Sequence, residues 1–328
     1  MAERDEAAWL AWRAEGITAT DVARAVTGRY GGAYGVIAEK LGLVERGPVT
    51  EVMQRGHRWQ QPIADAVHAL TGLYVVGEET WCQHGADHWA RATVDGFLAP
   101  TAEATPDDLL GVLEVKTRGV GVRSDWSYWS AQVQWQLYVT QLSRAVLADA
   151  VIDDTTDRVC SLHITEIEAD PDSQTIYERA VELCDHLQAG TLPDPDSPTA
   201  LDVVKGVTRT ADLDAEIVDL SPIASDVARF VEIKAAVKAA EDERDTLEAR
   251  IRAAVGQATV GACDGVRVSV SRPAKVLTRD AEETLLADFP HLAKTVLDRD
   301  RAKAEEPELY EAARQPVGAR RLTIKETT

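Results

Sequence analysis

Leu113-Glu114-Val115-Lys116-Thr117 decides the reading of this chain, together with Thr93-Val94-Asp95-Gly96-Phe97 upstream. Side chains alternate faces along a strand, so Glu114 and Lys116 project to one side and Leu113 and Val115 to the other, toward the core. By itself a carboxylate and an ammonium on one strand face describe a solvated, salt-bridging edge as well as they describe a site. Asp95 changes the balance. It closes the preceding strand-like segment, and a hairpin-like pairing of the two segments sets it beside Glu114. Two carboxylates and a neighbouring backbone carbonyl form an all-oxygen donor set, which suits Mg²⁺. Asp95-Gly96 is also a strong turn dipeptide, and both readings can hold together.

Outward from this pair, the pattern alternates helical and extended segments. Helices are expected over 5–14, from Thr18 or Thr20 through Val26, over roughly 34–41, and over 52–70, where Thr71-Gly72 ends the last. Extended segments follow at LYVVGEETW (73–81), HWARATVDGFLA (88–99) and GVLEVKT (111–117). A helix is expected over about 125–141, strands at AVLADAV (145–151) and RVCSLHITEI (158–167), and a helix over 173–189. Helices flanking strands gathered in the middle predict an α/β domain with a central mixed sheet. TLPDPDSP (191–198) carries three prolines in eight residues and reads as a linker, so the domain is expected to cover 1–198 and an extension 199–328. In the extension, Phe230, Ile233, Val237, Ala240, Leu247, Ile251 and Ala254 recur in three- and four-residue steps. They predict one long amphipathic helix, with Arg244 interrupting the apolar seam. A strand-like GVRVSVSR (265–272) and an acidic helical tail complete the chain.

Composition sets the outer limits. Hydrophobic residues make up 45% and charged residues 27% of 328, as in an ordinary water-soluble chain long enough for a full core. No apolar run reaches the length of a membrane span, and the acidic N-terminus has no signal-like apolar segment, which predicts a cytoplasmic product. The four cysteines (Cys82, Cys160, Cys184, Cys263) stand far apart, which argues against a zinc or iron–sulfur cluster. A net charge of −20 opposes nucleic-acid binding, although a local cationic channel can sit on an acidic body. His84 and His88 are four apart, but Gly85 between them speaks against a helical metal pair. Trp126, Tyr128, Trp129, Trp135 and Tyr138 have the ring faces for base stacking, yet their helical spacing favours core packing.

Five short segments, in order, resemble a known family: WLAWRAEGITATDVA (9–23), GHRWQQPIADA (56–66), ATVDG (92–96), LEVKT (113–117) and SYWSAQVQWQLYVT (127–140). They are similar to the successive motifs of lambda exonuclease and the YqaJ-type viral recombinases, within the PD-(D/E)xK nuclease superfamily. The resemblance implies a restriction-endonuclease-like core and a Mg²⁺-dependent deoxyribonuclease, with Mn²⁺ able to substitute. It implies 5′→3′ exonuclease action on double-stranded DNA ends, leaving 3′ single strands for phage-type recombination. An endonuclease or end-trimming nuclease on the same fold, or a catalytically impaired DNA-end-binding scaffold, stays open.

By the same resemblance Asp95 and Glu114 match the metal ligands with the Val115 carbonyl, Lys116 the catalytic lysine, and Gln132 a glutamine close to the active site. Arg13 and Thr20 match residues that hold the 5′-phosphate; read without the family, they are a surface charge and a helix cap. Where the family has a further glutamate this chain has Gln60, followed by Gln61. An amide oxygen still ligates a metal but brings no charge, so either a second metal binds weakly or Asp65, one turn beyond Gln61, compensates. The implied partners are double-stranded DNA ends, further copies in a ring-shaped homo-oligomer, and a phage single-strand annealing protein.

Overall fold

The computed structural model describes residues 6–45, 47, 50–209, 218–258, 260–263 and 266–269. Packing divides the chain into two units, Met1–Ala211 and Asp212–Thr328.

The first unit opens with four helices, α1 (Glu6–Ala14), α2 (Ala19–Thr27), α3 (Gly32–Lys40) and α4 (Glu51–Thr71). Thr18 is the N-cap of α2, where Asp21 reaches back to accept its N–H at 2.8 Å. Gly72, in the left-handed conformation, ends α4 as the Thr71-Gly72 signal predicts. Next come β1 (Tyr74–Val76), β2 (Thr80–Gln83), β3 (Arg91–Val94), β4 (Gly96–Ala99) and β5 (Gly111–Gly119). The two extended segments expected at 73–81 and 88–99 are each broken in two. Their halves join different sheets, because Gly77 and Asp95 carry the chain from one sheet to the other. β2 and β3 form a separate antiparallel pair.

After β5 come α5 (Trp126–Thr140), β6 (Arg144–Asp153), β7 (Arg158–Glu168) and α6 (Gln174–Ala189). The main sheet has five strands in the order β1-β4-β5-β6-β7. β5 and β6 run parallel across the α5 crossover and the other neighbours are antiparallel, so the expected mixed α/β core forms.

Both faces of β5 are covered. Leu113 and Val115 pack with Ile63 and Val67 of α4, whereas Val112 packs with Val133 and Leu137 of α5. The face that carries Glu114 and Lys116 therefore lies under a helix, not on an open edge.

The proline-rich stretch does not end the packing. α7 (Ala200–Val207), which the sequence reading missed, follows it. Ala200 is buried with Tyr34 and Ala38, and Thr199 Oγ1 donates to Gly28 O at 2.7 Å. The first unit accordingly runs past the expected boundary at 198. The second unit contains α8 (Ala224–Val255), 32 residues long and covering the predicted amphipathic stretch, then a hairpin of β8 (Val260–Cys263) and β9 (Val266–Ser269). Phe230, Ile233, Val237, Leu247 and Ile251 are exposed along α8. The predicted helical tail lies outside the described residues. No helix among the described residues is long and apolar enough to cross a membrane.

Candidate active site

The site forms where β4, β5 and α5 meet. Asp95 stands between β3 and β4, at the step from the small sheet into the main one. Gly96 permits that step, since a Cβ there would stand 2.6 Å from Val75 Cγ1 on the neighbouring strand. In the β4–β5 register Gly96 pairs with Leu113. Asp95 Oδ2 consequently accepts the Val115 N–H at 2.7 Å. Strand pairing thus brings Asp95 next to Glu114-Val115, as the sequence predicts.

Glu114 is only 3% exposed. Its Oε1 accepts from Gln132 Nε2 at 2.6 Å and from the Lys116 ammonium, and its Oε2 accepts from Gln136 Nε2 at 2.6 Å. Lys116 Nζ also donates to Gln132 Oε1 at 2.9 Å. α5 is apolar around most of its circumference and buried, which obliges its two inward amides, four residues apart, to find partners on β5. Sequence reasoning identified Gln132 and missed Gln136, which is fully buried and also donates to Thr93 O at 3.3 Å. Two glutamines four apart, sharing the helix face whose neighbours are buried, were the available signal.

Burial raises the Asp95 carboxyl above the ordinary carboxylate range, and the Glu114 charge raises it further; Lys116 and the Val115 N–H act in the opposite direction. Two carboxylates facing one ammonium leave one negative charge uncompensated in a buried place. All-oxygen donors with surplus negative charge fit a hard divalent cation. Among the described residues no three His, Cys, Asp or Glu side chains converge. Further ligands would then be neutral oxygens: the Val115 carbonyl, which belongs to the residue whose N–H binds Asp95, the Gln60 amide or water. Gln60 stands at the rim, with its amide donating to Asp95 O at 3.4 Å. Asp65 is the carboxylate expected to compensate for the glutamate that Gln60 replaces. It is exposed and bonded to Gln61.

The second sequence-predicted pair is only partly assembled. Arg13 lies over the Trp9 ring, 4.7 Å from its centroid, and donates to Thr18 Oγ1 at 3.2 Å. That hydrogen bond goes to Thr18, the helix cap, while Thr20 is the second residue of α2 and half-buried. Beneath them Asp21 pairs with Lys40 at 2.9 Å, both side chains nearly buried.

The remaining candidates have structural surroundings. His84 accepts from the Asp87 N–H at 3.0 Å and stacks on Tyr138, whereas His88 contacts Gln83. Trp135 is in the core, with Trp129 and Tyr138 partly buried against it. Trp126 departs from the expected packing and is 48% exposed.

Residues 8–143 match the model of the YqaJ-like viral recombinase domain. The solved structures to which the chain is similar include an alkaline exonuclease from Laribacter hongkongensis, at 20% identity and a TM-score of 0.42, covering 56% of this chain and 93% of that one. The same enzyme in complex with dAMP gives 20% identity and a TM-score of 0.43 over the same shares of the two chains. A phage-related exonuclease from Haemophilus somnus 129PT gives 8% identity and a TM-score of 0.40, covering 58% of this chain and 95% of that one. None of the curated proteins matches.

Proposed function

We propose that this protein is a divalent-cation-dependent exonuclease that degrades double-stranded DNA from its ends in the 5′→3′ direction, leaving 3′ single strands for phage-type recombination. The observation that carries the reading is the convergence of Asp95 with Glu114, Lys116 and Gln132 inside a YqaJ-like domain. Asp95, Glu114 and the Val115 carbonyl would hold the cation, Mg²⁺ with Mn²⁺ as a substitute, and Gln60 would complete the set from the rim. When bound, such a cation supplies a polarised water and neutralises charge on the phosphodiester.

The residues of the chain do the rest. Lys116 is held beside Glu114, where its ammonium orients the attacking water and offsets the negative charge that builds on the phosphate. Gln132 fixes Lys116 and Glu114 in one arrangement by bonding both. Arg13, beside the start of α2, provides the fixed cation for a 5′-phosphate, and the Thr20 hydroxyl completes that pocket. The product strands suit a phage single-strand annealing protein as partner. The enzyme acts in the host cytoplasm, as a ring-shaped homo-oligomer around the duplex.

The test is degradation of linear duplex with Mg²⁺, with covalently closed circular duplex and chelated metal as controls, and each strand end-labelled in turn. Loss of the 5′-terminal strand from linear DNA alone is expected. Cleavage of the closed circle would replace this reading with an endonuclease, and metal-independent cleavage would remove the cation from it.

A further inference from the structure

The turn between α2 and α3 is held far more firmly than a surface connection requires. Gly28, Tyr30, Gly31 and Gly32 all have positive φ, at 66°, 50°, 90° and 58°. Glycine adopts this region freely, but a tyrosine in it is strained. Buried Arg24 fixes Tyr30 by donating from Nε and Nη2 to Tyr30 O at 3.1 and 2.6 Å, while its outer donors clasp Glu39 at 2.8 and 2.7 Å. From the other side Thr199 Oγ1 accepts the Gly31 N–H at 2.8 Å. The result of this bracing is a tyrosine that is 67% exposed. Strain maintained by so many contacts, with an exposed aromatic as its product, points to a ligand for that ring.

Its location narrows the ligand. The Tyr30 ring meets the edge of Tyr128 at 5.7 Å and 78°, and Arg29 pairs with Asp125 at 2.8 Å, which ties the turn to the start of α5. Tyr128, Gln132 and Gln136 follow each other in steps of four on α5, so they share one helix face. The last two bind Glu114. The ring pair therefore stands one helical turn along α5 from Gln132, which holds Glu114. Burial opposes ionisation of the Tyr128 phenol, against the pull of Arg24, and Tyr30, Asp21 and Glu114 add to that opposition. A chain of net charge −20 has little surplus cation with which to grip phosphates, whereas a ring face attracts a nucleobase without any charge.

We propose that Tyr30, braced by Tyr128, is a stacking platform for the nucleobase adjoining the phosphodiester presented to Glu114 and Lys116. The proposal rests on the nuclease reading above.

The experiment measures binding of a labelled duplex with a short unpaired end to the full chain, without divalent metal so that nothing is cut. Tyr30→Gly removes the ring and suits the left-handed backbone, so thermal melting should show a variant at least as stable as wild type; Tyr30→Asn, which also tolerates that backbone, is the second ring-free variant. Both should bind about 10-fold more weakly, within the range of one lost base stack. That loss should change little between low and high salt, and Tyr30→Phe should bind within about twofold of wild type. Abasic substitution at successive end positions should weaken wild type at one position, where Tyr30→Gly loses nothing further. Wild-type affinity in both ring-free variants would overturn the platform, as would a Tyr30→Gly loss that persists at every abasic position. Failure of the platform with cleavage intact leaves the nuclease reading standing. A Tyr30-dependent affinity in a protein that cuts no DNA would do the reverse.

Discussion

Two buried carboxylate–lysine pairs lie in the same unit, and their surroundings separate structure from chemistry. At the start of α2 the Asp21 carboxylate accepts from Lys40 at 2.9 Å and from both the N–H and the hydroxyl of Thr18 at 2.8 and 2.7 Å. Lys40 spends its other donors on Arg13 O and Gly16 O, at 2.8 and 2.7 Å. One negative charge meets one ammonium, with Arg13 nearby, and nothing is left over. Under α5, Glu114 and Lys116 form a pair of the same kind, but Asp95 adds a second carboxylate without a second cation. The titration follows the charge balance. Burial opposes ionisation of Asp21, yet Lys40, Arg13 and the Thr18 hydroxyl together pull it down to about 2. Asp95 moves the other way, because burial and Glu114 outweigh Lys116. A balanced pair acts as a clamp, whereas a pair with surplus negative charge is prepared to receive a cation.

The largest expected effect tests the clamp. Asp21→Asn leaves the Lys40 ammonium buried without its partner and should cost about 3–5 kcal/mol of stability in chemical denaturation. Because the folded carboxyl lies below its unfolded value near 4, its stabilisation is present above pH ~4 and is lost as the pH falls toward about 2. Wild type should therefore show an acid-labile component over that interval which the variant lacks. Equal stability of the two proteins at neutral pH would dissolve the contrast.

Lys116→Ala should slow hydrolysis of linear duplex on the order of 10²-fold or more, while DNA binding in the absence of metal stays near wild type. Turnover close to wild type would move the chemistry elsewhere. Arg13→Ala is next. Degradation of 5′-phosphorylated ends should slow by about 10- to 100-fold relative to 5′-hydroxyl ends, at one fixed salt concentration, for one lost charge-assisted contact. Equal slowing on both ends would assign Arg13 to the clamp alone, through Thr18 and Asp21.

The smallest effect sharpens the comparison most. Asp95→Asn keeps an oxygen for the Val115 N–H but removes the uncompensated charge. Without metal the variant should be about 1 kcal/mol more stable than wild type, the opposite sign to Asp21→Asn. It should also lose the upward shift in melting temperature that Mg²⁺ gives wild type. A destabilised Asp95→Asn would mean that the two pairs are alike.

What could be read from the chain and what could not divide along physical lines. Strand alternation at 113–117 and the order of Asp95 before it depend on nearest neighbours, so the α/β class and the central Glu114-x-Lys116 were determined by the sequence alone. The same holds for the end of α4 at Gly72 and for the single long helix at α8, where local backbone chemistry and side-chain periodicity carry the signal, whereas the sequence left the α2 cap between Thr18 and Thr20. The burial of Glu114, the second amide from Gln136, the Asp21–Lys40 clamp beside Arg13 and the docking of α7 past a proline-rich stretch were decided only by tertiary structure. Each depends on which helix lies over which strand, or on residues far apart in sequence meeting in a buried place. There the demand that every buried polar group find a partner selects the arrangement, and no local pattern carries that information.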